Sequence, residues 1–222
     1  MKHAKNLLAG LLLAAFGNAH AALVNGTFDT DLSGWSALGD VAVVNGSAVL
    51  TTASLEDDDG AGPAARNLSG TAAALVGVPG GLESFAGLPL GALDLNSWSF
   101  EGSALRQTLT VAAGDTLSFA WDFSSLDTFM NDFAFVMVDG QVNVLAHVLG
   151  GTGSGLFSQT FLNGGSFDLV FGVADEGDYV GTSFLSIDQV SLRSAASSVP
   201  EPTSLALGLG ALGLLAALRR KG

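Results

Sequence analysis

Strict alternation of polar and apolar residues over short stretches constrains the fold of the middle of this chain more than any other feature. From Leu117 to Phe123 every second residue is a large apolar one, and the residues between them are polar or small. A period of two places the large side chains on one face of a β-strand. Residues 22–198 contain no comparable stretch with the period of a helix. We therefore expect an all-β fold.

Residues that favour turns separate these stretches at short intervals. The pair Asp139-Gly140 lies between two apolar runs, and it suits the type I′ turn of a hairpin, in which both central residues have a positive φ. Residues 163–165 (Asn-Gly-Gly) predict a second hairpin in the same way. Residues 113–115 (Ala-Gly-Asp) are expected to turn one strand into the next.

Further β-like runs complete the pattern. They lie near residues 22–24, 41–44, 47–52 and 72–76, with a last strand at 182–192, and bring the total to about nine or ten strands. Short strands at regular spacing, separated by turn signals, indicate an antiparallel β-sandwich. Two segments rich in small residues, glycine and proline, 54–70 and 77–97, are predicted to be long loops.

Carboxylates far outnumber basic residues in this middle segment. Residues 22–198 contain 20 of the 21 carboxylates but just three basic residues, Arg66, Arg106 and Arg193. Nucleic-acid binding is therefore excluded, because the phosphates would repel so acidic a domain, and the same charge disfavours anionic lipid surfaces. The chain has no cysteine, which excludes disulfides and thiolate metal sites. Stability must come from the core or from an ion bound by oxygen atoms.

Residues 1–21 have the pattern of a secretory signal peptide. Two lysines precede an apolar run at 7–16, expected as a short signal helix, and Ala19 and Ala21 supply the small residues that signal peptidase requires. The sequence therefore predicts export through the Sec translocon and cleavage before Ala22. The alternative is an uncleaved anchor helix, which the shortness of the run disfavours.

Residues 199–222 combine a short motif, an uncharged apolar run at 203–218 and a basic cluster at 219–221. The motif residues are Pro200, Glu201 and Pro202, and the basic residues are Arg219, Arg220 and Lys221. A helix over the run would span roughly 24 Å, a little less than a hydrocarbon core of about 30 Å. Hydropathy and the positive-inside rule predict a single transmembrane helix with its basic end in the cytoplasm and residues 22–198 outside.

This order of motif, short glycine- and leucine-rich span and terminal basic cluster resembles the PEP-CTERM sorting signal. The resemblance implies a Gram-negative bacterium that makes extracellular polysaccharide. It also implies recognition by an exosortase, a membrane enzyme that removes the tail near the Pro-Glu-Pro motif. The inner membrane would then hold the chain transiently, before its release to the cell surface or matrix. A plain tail anchor is the alternative.

A second resemblance involves three segments of residues 22–198. Residues 25–35 contain an Asn-Gly pair, a Phe-Asp pair and a Gly-Trp pair, and residues 105–119 form two alternating runs around Gly-Asp. Residues 183–192 end in Asp-Gln-Val-Ser-Leu. In this order the segments resemble the opening strand, central hairpin and closing strand of carbohydrate-binding jelly rolls of the galactose-binding-like type. Gln189 departs from the usual Asn or Asp. The resemblance implies a jelly-roll fold.

Such jelly rolls often hold a structural calcium ion where the first and last strands meet. The matching positions here are Asp29 and Asp188. Calcium takes six to eight oxygen ligands, typically carboxylates and backbone carbonyls, and the ion would cross-link the two ends of a domain that lacks disulfides. The alternative makes Asp29 a turn residue and Asp188 a solvated strand residue.

Sugar binding requires exposed aromatic rings beside polar groups. Trp35 and Trp121 share patterns with core residues and are expected to be buried. Trp98 and Tyr179 lie in more polar surroundings. They are the candidate ligand-binding residues.

Enzymatic activity is not expected. His147 is the one histidine of residues 22–198, it lies on an apolar strand, and no Gly-x-Ser-x-Gly motif accompanies it. The sequence predicts a non-catalytic protein of the cell surface or exopolysaccharide matrix. It is either a module that binds extracellular polysaccharide or a structural or adhesive protein without a specific sugar site. A glycoside hydrolase-like enzyme ranks third, because no carboxylate pair lies in a recognisable motif.

Overall fold

Two antiparallel sheets pack face to face in the computed structural model, which describes residues 23–55 and 66–195. In chain order the strands are β1 (Ser36–Leu38), β2 (Asp40–Val44), β3 (Ser47–Thr51), β4 (Ala74–Leu75), β5 (Ser99–Val111), β6 (Thr116–Ser125), β7 (Phe133–Val138), β8 (Gln141–His147), β9 (Gly153–Thr160), β10 (Gly165–Glu176) and β11 (Ser183–Arg193). A short helix, α1 (Leu82–Ala86), precedes β5, and a 3₁₀ turn (Val148–Gly150) follows β8. Within the described ranges, no helix is long and apolar enough to cross a membrane.

The strand order is that of a jelly roll. Sheet A has the order β1-β5-β10-β7-β8, with β4 also paired to β5, and sheet B has the order β2-β3-β11-β6-β9. From β5 onward the chain changes sheet at every connection except the one between β7 and β8. Eight strands, β5-β10-β7-β8 facing β3-β11-β6-β9, thus form the double Greek key of this fold. The prediction of an all-β jelly-roll sandwich is confirmed, while the predicted signal helix and transmembrane helix lie outside the described residues.

The predicted hairpin at Asp139-Gly140 is present. Strands β7 and β8 pair across it in register Val138↔Gln141, and φ is 53° at Asp139 and 70° at Gly140. Both central residues therefore have the positive φ that a type I′ turn needs.

The other two predicted reversals are not hairpins. Strand β9 pairs with β6, whereas β10 pairs with β5 and β7, so residues 163–165 cross from one sheet to the other. Residues 113–115 likewise join β5 of sheet A to β6 of sheet B. Turn residues specify that the chain reverses, but pairing with distant strands decides whether the reversed strand stays in the same sheet. No strand forms at residues 23–24, where the Val24 N–H donates to the Gln107 side chain instead.

The core has two parts. The main one lies between the sheets and includes Trp35, Leu105, Phe119 and Phe171, with Trp121 packed partly buried against it. A second cluster lies on the outer face of sheet A, because the β7 and β10 residues that it contains alternate with those of the main core. The predicted loop at 77–97 contains α1 and covers this face, since Val76, Leu82 and Leu93 belong to the second cluster.

The sandwich has two distinct ends. At one, which we call the aromatic end, Ser99 of β5 pairs with Glu176 of β10, and Ser183 of β11 pairs with Ser125 of β6. The opposite end, which we call the tail end, contains the turns at 45–46, 112–115, 139–140 and 161–164 and the last residue of β11, Arg193.

Candidate functional site

Two aromatic residues singled out from the sequence lie together at the aromatic end. Trp98 directly precedes β5 and has 75% of its surface exposed. Its carbonyl accepts a hydrogen bond of 2.9 Å from the Gly177 N–H, in the loop that follows β10. The Tyr179 ring, two residues further on, packs on Phe100 with 4.7 Å between ring centroids. The β5–β10 pairing therefore joins residues that are 81 positions apart in the sequence.

Two recesses border these rings. One, of about 310 Å³, lies between the rings of Trp98, Phe100 and Tyr179 and the edge formed by residues 75–78, with Asp94 in its wall. The other, of about 290 Å³, is bordered by Ser97, Trp98, Phe100 and Gly177. Such volumes lie near the lower limit of about 300 Å³ for small-molecule sites. The indole is thus an exposed apolar surface flanked by two shallow depressions.

A buried carboxylate holds the backbone that leads into Trp98. Glu176 is 1% exposed, and its Oε1 accepts hydrogen bonds from the N–H groups of Asn96, at 3.1 Å, and Ser97. A bulge between Asp175 and Glu176 interrupts the register with β5 at this point. Asp94 makes a third carboxylate-to-backbone hydrogen bond, in which its Oδ1 accepts from the Ser99 N–H at 2.9 Å. The position of the indole is therefore set by carboxylate-to-backbone hydrogen bonds.

Glu176 is in turn linked to a second buried carboxyl group. Asp132 Oδ1 accepts from the Glu176 N–H at 3.1 Å, and Oδ2 lies 2.6 Å from Ser183 Oγ. Burial raises the pKa of Asp132 to about 7, the nearby charges of Asp127 and Asp178 act in the same direction, and hydrogen bonds from Ser183 and the Glu176 backbone oppose the shift. Asp132 therefore exchanges its proton near neutral pH.

Carboxylates are concentrated at the aromatic end. The described ones are Asp40, Asp94, Glu101, Asp127, Asp132, Asp175, Glu176 and Asp178. Even so, among residues 23–55 and 66–195 no group of three or more histidine, cysteine or acidic side chains is arranged to hold a metal ion. These carboxylates contribute hydrogen-bond acceptors and negative potential.

The two aspartates of the predicted calcium site lie in segments that contact each other. The Val190 N–H donates to the Gly26 carbonyl at 2.8 Å, which brings the segment containing Asp29 to the last strand. Asp29 is exposed and accepts from Thr27 Oγ1 at 2.8 Å. Asp188 is partly exposed, and its Oδ1 accepts from the next backbone N–H at a bulge in β11. The donor set is entirely oxygen, which is the chemistry that calcium requires.

His147 has a local structural role. Its Nδ1 accepts a hydrogen bond of 2.8 Å from the Gly150 N–H and caps the 3₁₀ turn after β8.

Sequence reasoning missed Phe100, Glu176 and Asp94. Phe100 carried a local signal, because Trp98 and Phe100 are two positions apart and a period of two can place both rings on one side of an extended segment. Glu176 carried none, since its partners Asn96 and Ser97 are 80 and 79 positions away. Such a contact becomes evident when the register of β5 with β10 is known.

The processing residues singled out from the sequence lie outside the described ranges. Those of the signal-peptide site are Ala19, Ala21 and Ala22, and those of the sorting motif are Pro200, Glu201, Pro202, Arg219, Arg220 and Lys221.

Comparison with known proteins adds to these observations. No curated protein matches the chain. Among solved structures, TmCBM61 in complex with β-1,4-galactotriose is similar at 13% identity and a TM-score of 0.41, covering 78% of this chain and 97% of that one. The N-terminal cellulose-binding domain of Cellulomonas fimi β-1,4-glucanase C is similar at 12% identity and a TM-score of 0.37, covering 78% and 96%. The assignment of the sandwich rests on its strand pairing.

A match to a known motif covers the segment after β11. Residues 198–221 match the PEP-CTERM protein-sorting motif, which confirms the sorting signal predicted from the Pro-Glu-Pro order. The chain therefore carries a PEP-CTERM protein-sorting motif, which implies an exported protein that an exosortase processes.

Proposed function

We propose that this chain is a non-catalytic protein of the cell surface or exopolysaccharide matrix whose β-sandwich binds a glycan at the aromatic end. In this proposal residues 203–218 anchor the chain transiently in the inner membrane until the exosortase removes the tail. The observation that carries the glycan assignment is the 75% exposure of Trp98 beside Tyr179 and Phe100. Exposed apolar surface flanked by polar groups is typical of a binding site.

The chemistry of the site suits a sugar chain. A pyranose ring offers an apolar face of C–H groups, which an exposed indole covers, and hydroxyl groups at its rim. The carboxylate of Asp94 lies in the wall of the larger recess and supplies oxygen acceptors for such hydroxyls. At about 310 Å³ this recess fits a short segment of a chain, and further sugar units would extend across Trp98.

The charge of the aromatic end narrows the class of glycan. Asp127, Asp175, Glu176 and Asp178 lie beside the site, and like charges repel one another across the short distances that binding requires. Polymers of acidic sugars are therefore disfavoured, and we propose a neutral polysaccharide as the ligand.

Affinity electrophoresis in gels that contain neutral polysaccharides, followed by calorimetry with a bound one, tests this proposal. Trp98→Ala should weaken binding about tenfold or more, because truncating a central aromatic contact costs about 1–2 kcal/mol or more. Tyr179→Ala should weaken it less. Phe129→Ala is the matched control, since Phe129 is an aromatic residue with 83% exposure that does not line either recess.

The results have distinct meanings. Equal loss of binding in the Phe129 and Trp98 variants would place the sugar elsewhere. No retardation of the unmodified protein by any neutral polysaccharide would contradict the glycan assignment and favour a structural or adhesive matrix protein.

We also propose that a calcium ion binds between the N-terminal segment and β11, with Asp29 and Asp188 as carboxylate ligands. The Gly26–Val190 hydrogen bond supports this, because it joins the two segments. An ion bound by the folded state alone must raise the unfolding midpoint by mass action. We expect a rise in Tm with calcium over chelator, lost in Asp188→Ala and kept in the control Asp122→Ala. An unchanged Tm would contradict the site.

A further inference from the structure

We propose that, while the tail is in the membrane, the tail end of the sandwich faces the lipid surface and the aromatic end faces away from it. This inference rests on the proposed function, in which residues 203–218 are the anchor. It assigns the tail end as an interaction surface whose partner is an anionic bilayer.

The tether between the sandwich and the proposed anchor is short. The chain is held to the sandwich as far as Ala195, whose N–H donates to Asp115 Oδ1 at 3.1 Å in the turn between β5 and β6. The proposed anchor begins at Thr203, eight residues after Ala195, and this tether spans at most about 29 Å even when fully extended. The 11 residues of β11 extend over roughly 36 Å at about 3.3 Å per residue. The tether is shorter than the domain, so the tail end must stay near the anchor.

Negative charge is distributed unequally between the two ends of the sandwich. Eight of the described carboxylates lie at the aromatic end, and six of these are buried. Arg66, just before the residues that donate to Asp40, offsets one of the eight charges. The turns of the tail end contain two carboxylates, Asp115 and Asp139, and Arg193 lies beside them. By formal charge, the tail end is therefore far less negative than the aromatic end. An anionic leaflet therefore repels the aromatic end more strongly than the tail end.

The remaining described carboxylates do not alter this contrast. Asp122, Asp168 and Asp188 lie within the strands β6, β10 and β11, and Asp168 is 3.9 Å from Arg106. Glu83 is buried in α1, where its carboxylate accepts from the N–H groups of Gly77 and Gly91. Asp29 and Asp31 are exposed in the segment before β1, which bonds to β5 at Gln107 and to β11 at Val190. Even when these two are counted with the tail end, it has four carboxylates and the aromatic end has eight.

The surface of the tail end suits a membrane interface. Leu162, in the loop between β9 and β10, is 87% exposed. Asn45, Gln141 and Asn163, also exposed at this end, are uncharged, and the exposed charges of the turns and of the end of β11 are Asp139 and Arg193, which are of opposite sign. An exposed leucine flanked by few charges enters the headgroup region at little electrostatic cost. The consequence for function is that Trp98 and Tyr179 point away from the inner membrane, into the compartment outside it, before the tail is removed.

Because the chain contains no cysteine, a single introduced cysteine can be labelled without labelling any other position. Single cysteines replace exposed residues in the full chain: Asn163→Cys at the tail end, Ser158→Cys on β9 and Thr128→Cys at the aromatic end. Each variant carries a fluorescent label and is reconstituted into vesicles of phosphatidylethanolamine and phosphatidylglycerol that contain a headgroup-attached quencher. We expect the strongest quenching at position 163, less at 158 and the least at 128.

The outcomes separate the inference from the proposal on which it rests. Quenching at position 128 equal to or greater than that at 163, in chains that float with the vesicles, overturns the orientation alone. Failure of the full chain to float with the vesicles overturns the membrane anchor, and the orientation with it. Flotation together with the expected order of quenching supports both.

Discussion

At the residue scale, the carboxyl group of Asp132 shows how a buried acid is accommodated beside the aromatic site. Ser183 Oγ lies 2.6 Å from Asp132 Oδ2 and 2.7 Å from Ser125 Oγ, yet a hydroxyl has one hydrogen to donate. If Asp132 is protonated it donates to Ser183, which then donates to Ser125, and all three groups are satisfied. This hydrogen-bond chain agrees with the raised pKa of Asp132, about 7.

A pH dependence of stability follows from this shift. The pKa of Asp132 rises from 3.8 in the unfolded chain to about 7 in the folded one, so the folded state binds the extra proton between these values. The stabilisation of the folded state by this proton is complete below pH 3.8. It is lost as the pH rises through about 7, and the total loss is up to roughly 4 kcal/mol. Asp132→Asn keeps a neutral group there. As the pH rises from about 5 to about 8, we expect the free energy of unfolding of the variant to increase relative to that of the unmodified protein. Urea unfolding measures this difference.

The control is Asp122→Asn, which alters an exposed strand carboxylate. The difference in free energy of unfolding between this variant and the unmodified protein should stay constant over the same range of pH. A constant difference for Asp132→Asn as well would mean that Asp132 is already ionised in the folded state.

Part of the candidate site could be predicted at this scale. Trp98 and Tyr179 were accessible to sequence reasoning because each lies among polar residues, which predicts exposure, although that reasoning gave no ground for placing them together. Their proximity depends on Gly177 donating to the Trp98 carbonyl. The role of Glu176 depends on the same distant pairing.

At the element scale, the connections show what local sequence specifies. The Asp139-Gly140 turn could be predicted because a type I′ turn constrains its own two residues. The path of the chain at residues 163–165 could not be predicted, because β9 pairs with β6 and β10 with β5, and the paired residues are 30 or more positions apart. The alternation that defines the faces of each strand is local, and it identified Phe119 and Phe123 as core residues. The order of the strands is not local.

Close packing between β10 and β7 gives a prediction at this scale. Gly172 pairs with Phe135, whose ring would lie 2.2 Å from a Cβ added at position 172. Phe135 is fully buried in the second cluster, which includes α1 residues, so displacing its ring would disturb the packing of that cluster. Gly172→Ala should therefore destabilise the domain by about 1–3 kcal/mol through overpacking, measured as a lower urea midpoint.

Gly153→Ala is the matched control, because Gly153 also lies in a strand and no atom lies within 4 Å of an added Cβ. It should change the stability by less than about 0.5 kcal/mol. Equal effects of the two substitutions would mean that the loss at position 172 reflects strand propensity and not contact with Phe135.

At the scale of the whole molecule, the separation of charge between the two ends is the dominant feature. Net negative charge could be predicted from composition alone, but its concentration at one end depends on which turns meet there. The ends of β5, β10 and β11 bring together carboxylates that are dispersed between positions 40 and 178 of the sequence. Such a cluster lowers the stability of the folded state through self-repulsion, which salt screens.

We therefore expect the Tm to rise with sodium chloride in the presence of a chelator, when calcium does not contribute. Asp178→Asn should reduce the slope of Tm against salt, because Asp178 acts on Asp132 through its charge, and an asparagine keeps an oxygen acceptor for the Val180 N–H. Asp139→Asn removes the same charge at the tail end. It changes the preference of the turn and hence the Tm itself, but it should leave the slope unchanged because the tail end holds few charges. Equal slopes for both variants would show that repulsion is spread over the whole domain, and this would also weaken the electrostatic argument for its orientation on a membrane.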